Sequence, residues 1–281
     1  MNRLSWLFAS RGLPIKRQDL VLDIGSGDNP HVRADVLCDR FVFDSGERNS
    51  RFDLVIDGRP FIVADACSIP VMDKSFDFVI CRHLLEHMTD PEALLREIMR
   101  VGKPGYIETP SPLMERLHGW DFHRLLVGLD GSTLVIQPKS PAETYGLLPD
   151  RLLQSRAWLR LRDTAAADLV TTKLVWRDSI DYRCIGDISG EPCAHNGTAL
   201  ERLPPQSWRR RLRWLVTRGM RLTLTRHGNV DISKMLMCAD CRVRMAGGAR
   251  GVVCPSCRRS YRIIRGNVVA AEDHAASAQA S

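Results

Sequence analysis

The stretch Val21-Leu-Asp-Ile-Gly-Ser-Gly27 is a short apolar run that ends in a pair of glycines. Further short apolar runs follow it at residues 34–39, 61–65, 76–81 and 105–108. Runs of this length that alternate with helical patterns are typical of an α/β fold with a parallel sheet. The sequence therefore predicts five strands of such a sheet.

The clearest helix pattern lies between the last two runs. Asp90 is placed to cap its N-terminus, and Pro91 stands in the first turn, where a missing backbone N–H costs nothing. Apolar residues at helical spacing fill 93–99, and Gly102 and Pro104 end the pattern.

The residues that follow the first three runs are suited to a nucleoside ligand. In a parallel sheet, ligands bind at the carboxyl ends of the strands. The first run ends in Asp23 and the segment Gly25-Ser26-Gly27, whose glycines allow close approach of the backbone. Asp39 is placed to accept hydrogen bonds from a ribose diol, and Asp65-Ala66 to bond an adenine amino group.

A nicotinamide dinucleotide fits this loop poorly. The dinucleotide fingerprint needs a third glycine for tight packing of helix on strand. Here Pro30 takes that place, and Asn29 before it is biased away from helix. A nucleoside without a pyrophosphate is the better match.

Taken together, these motifs resemble class I S-adenosylmethionine-dependent methyltransferases. The resemblance covers roughly residues 18–110 and is closest to the broad group that includes the ubiquinone and menaquinone biosynthesis enzymes. Its motifs, in order, are Val21–Gly27, Ala64-Asp65-Ala66, Phe76-Asp-Phe-Val-Ile80 and His83-Leu-Leu-Glu-His87.

The resemblance implies a Rossmann-like class I methyltransferase sheet with a β-rich lid, and S-adenosyl-L-methionine as cofactor. It also implies a cofactor-binding set in which the first loop holds the methionine part, Asp39 the ribose, and Asp65 the adenine. The backbone near Arg82 and His83 closes the pocket. The set is Asp23, Gly25, Ser26, Gly27, Asp39, Asp65, Ala66 and Arg82.

The chain departs from the family pattern at its first loop. The third glycine is replaced around Asn29-Pro30, and the segment between Gly27 and Asp39 is too short for a full first helix. We therefore expect a more open cofactor pocket, with Asp44 as the alternative ligand for the ribose.

The segment after the fifth run is expected to bind the methyl acceptor. Thr109-Pro-Ser-Pro112 opens a less regular region, and a β-hairpin is predicted from 122–128 and 132–137 around Leu129-Asp130-Gly131. His123 is the candidate general base of this lid, or else a packing residue of the hairpin. His87 is the second catalytic candidate, with loop orientation as its alternative role. Two further strands, at 169–176 and 179–185, are expected at the antiparallel edge of the sheet or in the lid.

Four of the nine cysteines form two Cys-x-x-Cys pairs near the end of the chain. They are Cys238, Cys241, Cys254 and Cys257. This spacing is typical of knuckles that present four thiolates to a structural zinc ion. A closing hairpin is predicted from Tyr261–Ile264 and Val268–Ala270.

Residues 235–270 resemble the zinc-ribbon activator that partners tRNA and release-factor methyltransferases, here fused to the enzyme. A basic amphipathic stretch, 202–226, precedes them. It is interpreted as a connector that docks on the catalytic part, or as a surface for anionic membranes or nucleic acid. The expected domains are 1–200, with a lid at about 112–200, then 201–230 and 231–281.

Length, charge and the lengths of the apolar runs limit the kinds of protein that this chain can be. The chain has 281 residues and a net charge of +7, and residues 202–281 hold sixteen lysines and arginines against four acids. No apolar run reaches the roughly 20 residues of a membrane span, and residues 1–13 suggest an amphipathic opening helix, so a cytoplasmic protein is expected. The leading function is methyl transfer to a small molecule or envelope metabolite. RNA methylation is the alternative, and a non-catalytic methyltransferase-like partner is a third.

Overall fold

The computed structural model describes residues 12–40, 55–140, 167–188, 219, 221, 223–228, 230–248, 251–264 and 268–271. It divides into two compact units, the first made of 1–80, 100–103 and 196–281 and the second of 81–99 and 104–195. The described strands are β1 Val21–Ile24, β2 Val36–Asp39, β3 Phe61–Val63, β4 Phe78–Arg82, β5 Gly105–Pro110, β6 Leu125–Asp130, β7 Thr133–Pro138, β8 Thr171–Trp176, β9 Tyr182–Cys184, β10 Ala246–Gly248, β11 Gly251–Val253, β12 Ser260–Ile264 and β13 Val268–Ala271. The helices are α1 Pro91–Val101, α2 Pro112–His118 and α3 Ala167–Val170, with 3₁₀ turns at Leu85–His87 and Ile232–Met235.

The first unit is built on one sheet of mixed direction. Its strands lie in the order β10-β11-β12-β13-β3-β2-β1-β4. Strands β1, β2 and β3 pair in parallel, as the sequence predicts. Their side chains are almost wholly buried, because both faces of such a sheet are covered. The α/β, Rossmann-like expectation is confirmed.

The cysteine-rich tail extends this sheet. Strands β10 to β13 pair as antiparallel neighbours, which includes the predicted closing hairpin. Strand β13 then pairs in parallel with β3, with Val269 opposite Ile62. A second link joins the segment before the cysteines to the first part of the chain, because Met72 N–H donates to the Met235 carbonyl at 2.9 Å. The tail thus covers the edge that β3 would otherwise leave unpaired.

No helix connects β1 with β2, as the short spacing predicts. Residues 25–35 form turns, which are held by buried charged groups. The Arg59 guanidinium donates to the carbonyls of His31 and Ala34 at 2.8 and 3.1 Å and pairs with Asp57 at 2.6 Å. Arg33 pairs with the fully buried Asp35 at 2.7 Å. These contacts take the place of a helix's internal hydrogen bonds.

The second unit contains the strand pair β5–β8 and a three-stranded sheet, β6-β7-β9. Strand β5 pairs antiparallel with β8, the predicted antiparallel edge. Strands β6 and β7 form the predicted hairpin around Gly131, whose φ of 62° is the left-handed conformation that glycine tolerates best. Strand β9 pairs in parallel with β7.

Helix α1 starts where the sequence places it. The Asp90 side chain accepts a hydrogen bond from Ala93 N–H at 2.8 Å, which is an N-cap contact. The expectation of a less regular region after Pro112 was wrong, because α2 occupies Pro112–His118. Its cap is Ser111, whose hydroxyl accepts from Met114 N–H at 3.1 Å, and Pro112 takes the first helical position.

Some sequence predictions lie outside the described residues. They are residues 1–11 of the expected opening helix 1–13, the alternative ribose ligand Asp44, and most of the connector 202–226. Within the described residues, no helix has the length and apolar character needed to span a bilayer.

We expect Val269→Asp to destabilise the first unit. Val269 is fully buried beside β3, so an aspartate there places an unpaired carboxylate inside the sheet. The free energy of unfolding should fall by about 3 kcal/mol or more, measured by urea denaturation of the full chain.

Val253→Asp on β11 is the matched control, since the Val253 side chain is 38% exposed. It should change the free energy of unfolding by much less. Equal losses for the two variants would show that β13 does not support the sheet.

Candidate functional site

The loop after β1 is held against the end of β2 by backbone hydrogen bonds. The N–H groups of Gly25 and Ser26 both donate to the Cys38 carbonyl, at 2.9 and 3.1 Å. Gly25 and Gly27 have φ of 69° and 52°, which is the reason for glycine at both places. Gly27 N–H donates to the Asp39 carboxylate at 2.9 Å. The structure therefore brings residues 25–27 and Asp39 together, and their assignment to the cofactor stays a prediction.

Asp23 is buried and fixes the loop. It is 1% exposed, and its Oδ2 accepts a hydrogen bond from His31 N–H at 2.6 Å. The contact closes the turn between β1 and β2. Its assignment to the methionine part of the cofactor stays a prediction.

Asp65 lies at the end of β3, on the same strand-end side of the sheet as Gly25 and Asp39. Its Oδ1 accepts from Cys67 N–H at 2.9 Å, which orders the turn that contains Ala66. Its Oδ2 lies 3.1 Å from the Arg40 guanidinium. The side chain is 41% exposed, so it remains accessible to a ligand.

One further observation indicates that these residues suit the binding of S-adenosylmethionine. The Ser26 hydroxyl is buried and has no hydrogen-bond partner within the described residues. Buried polar groups in native proteins are normally satisfied, so an orphaned hydroxyl in a glycine loop indicates a bound polar partner. The loop and the carboxylates Asp39 and Asp65 would hold the cofactor's polar atoms there.

The catalytic candidates lie in the second unit, where the structure brings them together. The imidazole centroids of His87 and His123 are 4.6 Å apart, edge to face. His123 is 8% exposed, and its Nδ1 forms a hydrogen bond with the fully buried carboxylate of Glu115. Arg82, the remaining cofactor candidate, also belongs to this unit.

Aromatic rings surround this histidine pair. Phe122 stacks on His87 with centroids 5.7 Å apart, and its edge meets the His123 ring at 4.7 Å. Trp120 lies 4.9 Å from His123 and stacks on His118 at 4.1 Å. The predicted lid thus presents flat apolar surfaces next to two imidazoles.

Sequence reasoning missed Glu115 and Lys139, which orient His123. Lys139 Nζ lies 3.2 Å from Glu115 Oε2 and also donates to the Trp120 carbonyl. Both side chains are almost completely buried. Glu115 lies in the region treated as irregular, and only its helix reveals that it faces His123.

His83 bridges two carboxylates at the end of β4. Its ring nitrogens lie 3.4 Å from Glu86 Oε1 and 3.4 Å from Glu108 Oε1. Partial desolvation acts to lower the pKa of the His83 ring, but hydrogen bonds to Glu108 and Glu86 outweigh it and raise the pKa to about 9. The residue holds a φ of 53°, which is uncommon outside glycine. Its position is fixed by its own N–H, which donates to the Glu108 carbonyl at 2.8 Å.

The four tail cysteines converge in the first unit. Their sulfurs lie within 4.8 Å of one another, and Cys238 Sγ is 3.6 Å from Cys257 Sγ. A disulfide needs about 2.05 Å, whereas sulfurs around a tetrahedral zinc ion lie about 3.8 Å apart. Burial acts to raise the pKa of the Cys254 thiol, but backbone N–H groups of Cys257 and Ser256 lower it to about 7. The donor set therefore fits a zinc ion.

We expect His83 to titrate near pH 9, because the carboxylates of Glu108 and Glu86 stabilise its charged form. These ion pairs contribute stability that is fully present below about pH 6.5 and is lost as the pH rises through about 9. The side chain is 55% exposed, so salt should weaken the effect. NMR titration of the histidine ring signals measures the pKa.

Glu108→Gln should move the pKa of His83 toward its ordinary value, because one of the two carboxylates is lost. The control Glu92→Gln alters an exposed residue paired with Arg96 and should leave it unchanged. A wild-type His83 pKa near 6.5 would contradict the assignment.

Comparison with known proteins addresses the front part of the chain. Residues 40–107 match the family model described as "Methyltransferase domain". A 27-O-demethylrifamycin SV methyltransferase from Amycolatopsis mediterranei is 33% identical over 118 residues, which are 36% of this chain and 43% of that protein. A norajmaline N-methyltransferase from Rauvolfia serpentina is 42% identical over 45 residues, which are 16% of this chain and 15% of that protein.

Among solved structures, the complex of the Haloferax volcanii Trm112 methyltransferase activator with a methyltransferase is similar at 18% identity and a TM-score of 0.36. The match covers 60% of this chain and 86% of that one. The chain spans less than half the length of the curated relatives it matches. Its segment 40–107 is similar to methyltransferase domains.

Proposed function

We propose that the protein transfers a methyl group from S-adenosyl-L-methionine to a small molecule or envelope metabolite. The observation that carries the proposal is the glycine loop beside the carboxylates at the strand ends, with a buried Ser26 hydroxyl that has no hydrogen-bond partner among the described residues. The proposed cofactor-binding residues are Asp23, Gly25, Ser26, Gly27, Asp39, Asp65, Ala66 and Arg82.

The cofactor, when bound, supplies an activated sulfonium methyl group. Gly25, Ser26, Gly27, Asp39 and Asp65 would hold the cofactor, and a lone pair of the acceptor would receive the methyl group in a displacement at carbon. The proton of the acceptor leaves to a base. Since charge disperses in this displacement, the chain's main tasks are to align the acceptor and exclude water.

His123 and His87 are proposed to act on the acceptor. Because the Nδ1–H of His123 donates a hydrogen bond to the Glu115 carboxylate, the Nε2 lone pair is the one available for chemistry. The flat rings of Trp120 and Phe122 suit a cyclic or aromatic acceptor. The two curated relatives named above bear names of small-molecule methyltransferases, which agrees with this proposal.

For the tail we propose a structural zinc ion on Cys238, Cys241, Cys254 and Cys257. The tail's pairing with β3 suggests that it supports the methyltransferase fold, as the resemblance to an activator protein implies. Thiols that must stay reduced favour a cytoplasmic location.

The cofactor assignment is tested by calorimetry with S-adenosylmethionine. Asp65→Ala should weaken binding about tenfold or more, because a hydrogen bond to a charged group contributes about 1.5–3 kcal/mol. Asp73→Ala is the matched control, since the Asp73 carboxylate is 67% exposed at another turn of the same unit. Equal affinity of the Asp65 variant and the wild type would refute the assignment.

RNA-binding and turnover measurements on the same protein distinguish the class of methyl acceptor. Low-salt RNA binding that falls steeply with salt would favour an RNA substrate instead. Cofactor binding without turnover of any acceptor would indicate a non-catalytic partner.

Removal of one tail thiol tests the zinc site. Cys254→Ser should lower the zinc content by one ion per chain and lower the unfolding temperature, because all four thiolates are needed for a closed tetrahedral site. Cys184→Ser changes a half-buried thiol of the second unit and should leave the zinc content intact. Unchanged zinc in the Cys254 variant would rule out the site.

A further inference from the structure

A second group of metal-ligating side chains lies in the second unit, apart from the thiols. One carboxylate oxygen of Glu86 and one ring nitrogen each of His87 and His123 lie within 4.8 Å of one another. Donor atoms on one ion can lie up to about 4.2 Å apart when each bond is about 2.1 Å long. A small rotation of the side chains therefore brings all three to one ion.

We propose that Glu86, His87 and His123 bind one divalent transition-metal ion. Two imidazoles and one carboxylate suit Zn²⁺, Fe²⁺, Mn²⁺ or Co²⁺ better than Ca²⁺ or Mg²⁺, which prefer oxygen ligands throughout. The metal site deepens the proposed function. A catalytic role for the ion rests on the proposed methyl transfer, whereas binding of the ion does not.

His123 is already oriented as a ligand. Its Nδ1 is held by Glu115, so Nε2 is left to coordinate. Metal-bound histidines almost always give their other ring N–H to a carboxylate or carbonyl in this way. Lys139, 3.2 Å from Glu115, keeps that carboxylate in place and balances its charge.

The surroundings of the Glu86 carboxylate favour a bound cation. The residue is 1% exposed, and its Oε2 has no hydrogen-bond partner within the described part of the chain. Its Oε1 faces His83 at 3.4 Å, which leaves Oε2 for coordination. A buried carboxylate oxygen without a partner is costly, and a bound cation removes that cost.

The lid is attached to the turn that carries two of the three ligands. Glu86 and His87 share the 3₁₀ turn Leu85–His87, and the Glu86 carbonyl accepts from Arg124 N–H at 2.8 Å. Arg124 follows His123 directly, so the third ligand is fixed to the first two through the backbone. Three protein ligands leave positions open for water or for an oxygen of the acceptor, as in catalytic zinc sites.

The test is metal content of the full chain after equilibration with Zn²⁺ or Co²⁺ and removal of the unbound ion. The wild type should hold two ions per chain, and Glu86→Gln and His123→Ala one each. His118→Gln, a histidine stacked on Trp120 outside the cluster, should keep two.

The Co²⁺-loaded protein tells the two sites apart. The thiolate site gives an intense sulfur-to-cobalt charge-transfer band, which Cys254→Ser should abolish and Glu86→Gln should retain. A single wild-type ion that shows the sulfur-to-cobalt band, or two ions in both cluster variants, would overturn the proposal. The wild-type stoichiometry and spectrum together decide the matter even if a variant misfolds.

Calorimetry with S-adenosylmethionine separates this proposal from the function on which its catalytic part rests. If the protein holds a second ion but does not bind the cofactor, the methyltransferase proposal is refuted and the metal-site proposal stands. Cofactor binding with a single ion, and turnover that resists a chelator, would leave His123 as a metal-free base.

Discussion

The hydrogen bond from His31 N–H to the buried carboxylate of Asp23 is the constraint on which the first unit depends. Parallel strands need a crossover, which is usually a helix. Between β1 and β2 the chain has no helix, so the turn 25–35 must satisfy its backbone by other means. The Asp23 carboxylate and the Arg59 guanidinium do this from inside the sheet. The glycine loop is fixed as a result, and the strand-end carboxylates are aligned beside it.

Much of the fold follows from local sequence signals. Short apolar runs predict β1 to β5, and the Asp90-Pro91 start predicts α1, because burial and capping depend on neighbours in sequence. Helix α2 was missed although Ser111-Pro112 is a helix-start signal, since proline and serine are equally typical of loops. The pairs Glu115–His123 and Glu108–His83 depend on packing in space, so no spacing rule reveals them.

The two groups of side chains that could hold a metal ion differ in how they are supported. The tail thiols hold one another through a compact pair of turns, and backbone N–H groups stabilise the charge on Cys254. Glu86, His87 and His123 come from a 3₁₀ turn and from the start of a hairpin, with Glu115 and Lys139 behind them. A closed thiolate set suits a structural ion, whereas imidazoles with a supporting carboxylate suit an ion that meets a reactant.

The pairing of β13 with β3 joins residues 268–270 to residues 61–63. Contacts of such long sequence separation form late, because a long loop must close first. During synthesis the edge of β3 therefore stays bare until the ribosome has released β13. In that interval the nascent chain carries an open template for strand addition, which is a hazard that chaperones commonly manage.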